Sequence, residues 1–421
     1  MKVLVVGSGG REHAVLWKLR QSPRVAQLYC APGNGGIADI ARCVPIGATD
    51  VAEMVKFAVR EGIDLCAVTS DDPQAAGMVD EMQEAGIAAF GCTKSAARIE
   101  SSKSFAKDLM RRHNIPTARY QTFDGLDDAL AYIRTQSLPI VVKADGLALG
   151  KGAVVAQTLE EAQAAARDMM ELGRHAEAGP RVVVEEYMEG REVTVMVFTD
   201  GDCAVEMPPC RDHKRAGDGD AGPNTGGMGA FSPVPDYTPD IAARAQREIF
   251  QPTVAAMRAE GRTFTGVLYF EMMLTAEGPK VIEYNARFGD PEAQVVLPLL
   301  ETDLLDVFEA VIQGNLRHLD VRFRDQAGAI VIAASRGYPG SSDTGHEIKG
   351  LDQISPDALV FHAGTKRRPS GGYENSGGRV LGVCTTADAL PDALERVYTE
   401  MRKIRFDGIH FRTDIGRRSA R

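Results

Sequence analysis

The chain has 421 residues, 44% of them hydrophobic and 25% charged, with a formal net charge of −10. That length exceeds one ordinary core and implies two to four domains of a soluble globular protein. The acidic balance opposes a nucleic-acid footprint, and no apolar run approaches the roughly 18 residues of a membrane span. Cys30, Cys43, Cys66, Cys92, Cys203, Cys210 and Cys384 form no Cys-x-x-Cys pair, which opposes a zinc site or a disulfide framework. MKVLVVG enters a strand and a glycine turn instead of a signal peptide, so a cytoplasmic location is expected.

Over residues 1–100, KVLVVG, AQLYCA, DLCAVTS and AAFGC alternate with REHAVLWKLRQ, DVAEMVKFAVREG and PQAAGMVDEMQEAG. Strand alternating with helix predicts an open parallel sheet with helices on both faces, and ligands at the carboxyl ends of its strands. The loops GSGGRE and APGNGG fall there. Gly7, Gly9 and Gly10 ahead of a helix fit a phosphate cradle, or only a tight turn. Glu12 stands where a dinucleotide fingerprint needs glycine, which disfavours NAD.

SSKSFAKDLMRRHNIP predicts a helix capped by Ser101 or Ser102 and ended by Pro116. Residues 117–188 read as a small α+β lobe and the chain to about 325 as a larger one. AIVIAAS, LVFHAGTK, GRVLGVC and the helix DALERVYTEMRKI then suggest a C-terminal α+β domain. The expected divisions are 1–101, 102–325 and 326–421.

PIVVKADGLALGKGAVVA is a strand, a glycine-rich loop and a strand. Gly146, Gly150 and Gly152 would free its amides to approach phosphate oxygens, and Lys143 and Lys151 could neutralise phosphate charge. DHKRAGDGDAGPNTGGMGA has six glycines in 19 residues and reads as a functional or disordered loop, not a core element. Asp212, His213, Lys214 and Arg215 offer it contacts for an amine and for anionic oxygens. The clusters Lys366 to Arg368 and Arg417 to Arg421 read as solvated faces.

TGVLYFEMMLTAEGPKVIEYNARFGDPEAQ, at 265–294, reads as a hairpin. Strict alternation puts Val281, Glu283, Asn285 and Arg287 on one face, with Ile282 and Tyr284 on the other. A loop of residues 276–278 would set Glu271 opposite Glu283. Facing carboxylates suit Mg²⁺, which takes its remaining ligands from water and phosphates. Arg287 could hold a carboxylate or stabilise a transferring phosphoryl group.

RFGDPEAQ at 287–294 resembles the signature of the glycinamide ribonucleotide synthetase family of purine biosynthesis, within the ATP-grasp superfamily. The resemblance continues through GSGGREHA (7–14), APGNGG (31–36), VVKADGLALGKG (141–152), DHKRAGDGDAGPNTGGMGAFSP (212–233) and GGRVLGV (377–383). It implies a central ATP-grasp fold and ATP-dependent ligation of glycine to 5-phosphoribosylamine through a glycyl phosphate. It further implies Lys103, Lys143, Gly150, Lys151 and Gly152 at the ATP phosphates, Glu185, Glu186, Tyr187 and Met188 at the base, and Glu192 at the ribose. Substrate contacts fall to Gly9, Gly10, Arg11, Asn224, Gly226, Gly227 and Asp290, and catalytic roles to Arg287, Asp212 and Lys214. The metal, Mg²⁺ or Mn²⁺, falls to Glu271, Glu283 and Asn285. Glu271 stands where many relatives have glycine but fits the general ATP-grasp spacing. Thr69, Ser70 and Asp71 replace a usual Gly-Pro-Glu, Arg211 a glutamine and Cys92 a proline. The expected assembly is a monomer or weak homodimer.

Overall fold

The structure, a computed structural model, describes residues 1–146, 152–171 and 181–417. Strands β1 (Lys2–Gly7), β2 (Gln27–Pro32), β3 (Arg42–Cys43), β4 (Leu65–Val68) and β5 (Ala88–Phe90) pair in parallel in the order β3-β2-β1-β4-β5. Continuous apolar strands need cover on both faces. Val3 and Val5 pack with helix α1 (Gly10–Leu19), while Leu4 and Val6 pack with α2 (Val51–Glu61). The helix expected after β4 is two, α3 (Asp71–Ala76) and α4 (Met78–Glu84), because Gly77 between them takes φ 94°.

Helices α5 (Arg98–Ser101) and α6 (Lys103–Arg112) lead into the small lobe, with Ser102 Oγ accepting from Phe105 N at the start of α6. Strands β6 (Tyr120–Phe123), β7 (Ile140–Ala144), β8 (Ala153–Ala156) and β9 (Val182–Glu186) form an antiparallel sheet ordered β6-β9-β7-β8. Helices α7 (Leu126–Ile133) and α8 (Leu159–Met170) cover it, and Leu130, Val142, Ala162, Met169 and Val184 give it a core of its own. Residues 187–190 link β9 to the large lobe.

The large lobe opens with β10 (Arg191–Thr199) and β11 (Ala204–Glu206). The glycine-rich run then forms β12 (Arg211–Asp212), β13 (Arg215–Gly217), β14 (Ala221–Asn224) and β15 (Gly229–Ser232), followed by the hairpin β16 (Gly266–Thr275) and β17 (Gly278–Asn285). Strands β11-β10-β16-β17 make an antiparallel sheet. The C-terminal part supplies β18 (Ala327–Ala334), β19 (Glu347–Ile348), β20 (Leu359–His362), β21 (Thr365–Arg367), β22 (Tyr373–Asn375) and β23 (Arg379–Ala387).

One sheet, β12-β15-β18-β23-β20, joins the glycine-rich run to these C-terminal strands. This corrects the expectation of a loop without core elements: β15 is buried throughout and pairs with β18. Its small residues permit a close backbone approach, since a Cβ on Gly229 would lie 2.6 Å from the Ile330 carbonyl oxygen. Val3, Leu16, Met196, Phe288, Ile330 and Phe361 belong to one apolar cluster, so the N-terminal sheet, the large lobe and the C-terminal sheet share a core.

Candidate active site

The hairpin sets Glu271 opposite Glu283, though not by the expected route. Thr275 pairs with Gly278 across a two-residue turn, and a bulge between Glu271 and Met272 restores the offset. An extra residue in one strand breaks alternation. Val281 therefore joins Tyr284 and Phe270 in the core instead of sharing a face with Glu283. Glu271 is buried and ion-paired to Lys214. Burial raises its carboxyl most, Lys214 opposes this and the charge of Glu283 adds to it, leaving it at about 7. Burial works the same way on Glu283, but Lys143, Lys103 and Lys214 hold it below the ordinary carboxylate range. Asn285 Oδ1 accepts from an Arg287 terminal nitrogen at 3.0 Å. Two facing carboxylates pressed together, with an ammonium against one, and a neighbouring amide oxygen suit a hard divalent cation.

Across the cleft, Lys143 Nζ on β7 donates to the Ile282 carbonyl at 3.3 Å and lies 3.1 Å from Glu185 Oε2. Lys107 Nζ on α6 reaches the same oxygen at 3.0 Å. Burial draws Lys107 down to about 8 against the pull of Glu185. Despite burial, Glu185 and Glu283 keep Lys143 above its ordinary value, and the two lysines keep Glu185 below its own. Lys107 is absent from the sequence expectations, although it sits one turn after Lys103 on the same helix face. Lys103 Nζ donates to the Gly146 carbonyl at 2.8 Å. Gly150 and Lys151 lie outside the described residues; Gly152 accepts from Ala144 N at 2.8 Å. The Glu185 carboxylate points at lysines, and Glu186 Oε1 is bound by Arg119 N at 2.9 Å. Tyr187 is exposed and Met188 half-buried in the linker, while Glu192 is exposed on β10.

Of the DHKR run, alternation turns only Asp212 and Lys214 inward. His213 accepts from Gly416 N at 3.4 Å, and Arg215 donates to the Gly222 carbonyl at 2.8 Å. Neither faces the hairpin. Burial, with Arg412 nearby, lowers His213 to about 4. Asp212 Oδ1 is buried and has no hydrogen-bond partner among the described residues. Burial and then the charge of Glu292 push its carboxyl well up, with Lys214 and Arg379 opposing. Glu292 is buried and accepts from Tyr269 OH at 2.9 Å. Asn224 is the register partner of Arg215, and Gly226 N donates to Tyr338 OH at 2.9 Å. Gly227 takes φ 110°, and a Cβ there would lie 2.5 Å from Pro291 Cδ and 2.8 Å from Asp212 Oδ1.

Arg287 leaves the hairpin toward the N-terminal unit, with Nε 3.3 Å from Glu100 Oε1 and 3.7 Å from Asp71 Oδ2. Asp71, from the loop that departs from the family pattern, therefore faces the site. Glu100, not foreseen from sequence, is raised to about 7 chiefly by burial and accepts from Ala286 N at 2.7 Å. The expected phosphate cradle is occupied by carboxylates. Gly9 N donates to Glu12 Oε2 at 2.7 Å, and Arg11 N to Asp290 Oδ2 at 3.3 Å. The glycine turn also serves packing, because a Cβ on Gly10 would meet Gln294 Nε2 at 2.6 Å.

Beside that turn opens a cavity of about 640 Å³, lined among others by Gly9, Asn34, Asp290, Lys366, Arg367 and Arg379. Lys366 and Arg367, expected on a solvated face, thus border the space next to the hairpin. Arg379 closes one wall by donating to the carbonyls of Gly226 and Asp290, each at 2.7 Å.

An antiparallel small lobe whose buried Lys143 reaches across to the hairpin of a second antiparallel sheet, on which two carboxylates face one another, has the arrangement of an ATP-grasp enzyme. The family models described as phosphoribosylglycinamide synthetase N domain, ATP-grasp (A) domain and C domain match residues 1–100, 101–293 and 328–418. The phosphoribosylamine–glycine ligase of Halalkalibacterium halodurans is 50% identical over 99% of this chain and 96% of its own. The crystal structure of the Thermotoga maritima phosphoribosylamine–glycine ligase superposes with a TM-score of 0.85 at 29% identity, covering 99% of this chain and 100% of that one. The fold alone is shared with the biotin carboxylase domain of Hydrogenobacter thermophilus 2-oxoglutarate carboxylase, solved with magnesium ADP (TM-score 0.76, 16% identity, 97% of this chain and 91% of that one). The chain belongs to the phosphoribosylglycinamide synthetase family. It is an ATP-dependent ligase that joins glycine to 5-phosphoribosylamine in purine biosynthesis.

Proposed function

We propose that catalysis takes place between the β7 lysine and the β16–β17 hairpin, through a glycyl phosphate. The observation that carries this reading is the approach of Lys143 to Ile282 while Glu271 and Glu283 face one another on the same hairpin. Glu271, Glu283 and Asn285 would hold Mg²⁺, or Mn²⁺ in its place, which would supply positive charge against the negative charge of the phosphates. Lys143 and Lys103 would pair with ATP phosphates, and Gly150, Lys151 and Gly152 belong to the loop that would cover them. With the carboxylates of Glu185 and Glu186 engaged by Lys143 and Arg119, the base is left the linker backbone, Tyr187 and Met188. Glu192 is free to meet the ribose.

Arg287, positioned by Glu100 and Asp71, would hold the glycine carboxylate or the transferring phosphoryl group. Attack of that carboxylate on the γ-phosphorus releases ADP and forms the acyl phosphate, which the amine of phosphoribosylamine then opens. The cavity of about 640 Å³ would take phosphoribosylamine, with Lys366 and Arg367 toward its phosphate and Gly9, Gly10, Arg11, Asn224, Gly226, Gly227 and Asp290 shaping its walls. The reading includes domains at 1–101, 102–325 and 326–421, a cytoplasmic setting and a monomer or weak homodimer. Among the described residues no helix is long and apolar enough to cross a membrane.

Isothermal titration with a non-hydrolysable ATP analogue tests the lysine assignment. Lys143→Met should weaken binding at least about tenfold, a loss of about 1.4 kcal/mol, and unchanged affinity would remove Lys143 from the phosphate site.

A further inference from the structure

We propose that Arg412, buried behind the glycine-rich run, is a positioning residue for the ligase reaction: it fixes the path of the chain after Lys214 and so holds that lysine against Glu271. The inference rests on the reading of the site given above, in which Glu271 belongs to the metal face. It starts from a weak place in the fold. Through His213 the run is held by the sheet, because His213 N donates to the Gly229 carbonyl and Met228 N to the His213 carbonyl, each at 2.9 Å. Beyond Lys214 the chain leaves it: β13 and β14 make a separate two-stranded sheet, with a register shift between Arg215 and Gly217. A two-stranded ribbon is marginal in water, so its course needs support from another part of the molecule.

Residues 410–416 supply that support. The Arg412 side chain is fully buried. Its Nη1 donates to the Arg215 carbonyl at 3.1 Å and to Asp220 Oδ1 at 2.8 Å, while Nε and Nη2 donate to the two Asp414 oxygens, each at 2.8 Å. A guanidinium held as a fork has one orientation. Asp414 accepts in turn from Gly219 N at 2.8 Å, Asp218 accepts from Thr413 N at 2.8 Å and from Thr413 Oγ1, and His410 Nε2 lies 2.7 Å from the Ala216 carbonyl oxygen. The segment is itself anchored. His410 and Ala334 of β18 exchange backbone hydrogen bonds at 2.7 and 2.9 Å, and Ile415 N donates to Tyr398 OH at 2.8 Å.

The consequence reaches Lys214 through the backbone. Thr225 N and Oγ1 donate to the Lys214 carbonyl at 2.7 and 2.8 Å, and Arg412 takes the next carbonyl, that of Arg215. Both peptide groups after Lys214 are thereby fixed, and its ammonium is left paired with Glu271. Arg412 does not line the cavity of about 640 Å³ and acts through the run alone. Replacing a buried ion pair with packed apolar groups is often neutral or stabilising, so a fully buried charge here points to a role in setting one path for the run.

Steady-state kinetics on the full chain with Mg-ATP, glycine and freshly generated phosphoribosylamine test the proposal. Arg412→Met should lower kcat about tenfold or more, and Arg412→Lys, which keeps the charge and a donor, should recover part of that loss. Because burial of Arg412 can make its variants fail to fold, the deciding variant is Asp218→Ala, at an exposed position, which removes both acceptors of Thr413. It should lower kcat about tenfold while KM for ATP and the Tm stay close to the wild-type values. A wild-type kcat in Asp218→Ala would overturn the proposal. So would a kcat loss accompanied by an equal rise in KM for ATP or by a clearly lower Tm, because the contact would then only stabilise the fold. Lys214→Met turning over at the wild-type rate would instead remove the reading of the site on which the inference rests.

Discussion

Glu185 is a buried carboxylate whose Oε2 lies about equally far from two lysines, 3.0 Å from Lys107 and 3.1 Å from Lys143. Such a cluster is stable only while every charge is compensated, since removing one partner from a buried ion pair costs about 3–5 kcal/mol. Lys107→Met should therefore lower unfolding free energy by that order in urea titration. A loss under about 1 kcal/mol would mean that Lys143 alone neutralises Glu185. The cluster marks where residue-level legibility ended. Lys143 was readable because it closes an apolar strand before a glycine loop, and Glu283 and Asn285 because they alternate beside RFGDPE. Lys107 looks like any polar position on an exposed helix; burial against Glu185 depends on Lys143 and Glu185, 36 and 78 residues away, which no local pattern contains. Glu100 escaped for the same reason: its partner, Arg287, lies 187 residues further along the chain.

Among the elements, the β16–β17 hairpin and the glycine-rich run were legible to different degrees. The turn residues of TAEG and the alternation of β17 announce a hairpin, yet a bulge leaves no signature in that pattern and turns Val281 to the opposite face. The glycine-rich run looked like pure loop because its strands are two to four residues long and rich in glycine and alanine, residues admitted where backbones approach closely. Gly227 is the sharpest case, with φ 110° and no room for a methyl group beside Pro291 and Asp212. Gly227→Ala should keep the far-ultraviolet circular dichroism of the wild type and lose about 100-fold or more in kcat, because displacing this wall misplaces the reacting groups. Wild-type kcat would show that the loop does not hold the site's geometry.

For the whole molecule, alternation of strands and helices was sufficient to foresee the N-terminal sheet, but not that it would share a core with the C-terminal strands. Their contact includes two buried histidines: His13 Nδ1 accepts from His362 N at 2.8 Å, and His362 Nδ1 lies 3.1 Å from Thr365 Oγ1. Burial lowers His13 to about 3, with His362 adding, and lowers His362 to about 4, against an ordinary 6.5. Both groups therefore bind fewer protons folded than unfolded between these values. Their contribution to stability is present above pH 6.5 and is lost as pH falls toward 4, with a loss of about 2 kcal/mol for each histidine by pH 5. Thermal unfolding should show a falling Tm from pH 7 to pH 5, with a shallower fall in His13→Gln. An equally steep fall in that variant would place the acid sensitivity elsewhere.

The proposed chemistry centres on the hairpin that carries Glu283 opposite Glu271. Its measurement is glycine-dependent ADP release from Mg-ATP in the presence of freshly generated phosphoribosylamine, comparing wild-type protein with Glu283→Ala. Wild-type protein should release ADP only when glycine is supplied, and the variant should fall to background while retaining the wild-type fold. Turnover by Glu283→Ala near the wild-type rate would contradict the assignment of the metal and phosphate chemistry to this hairpin.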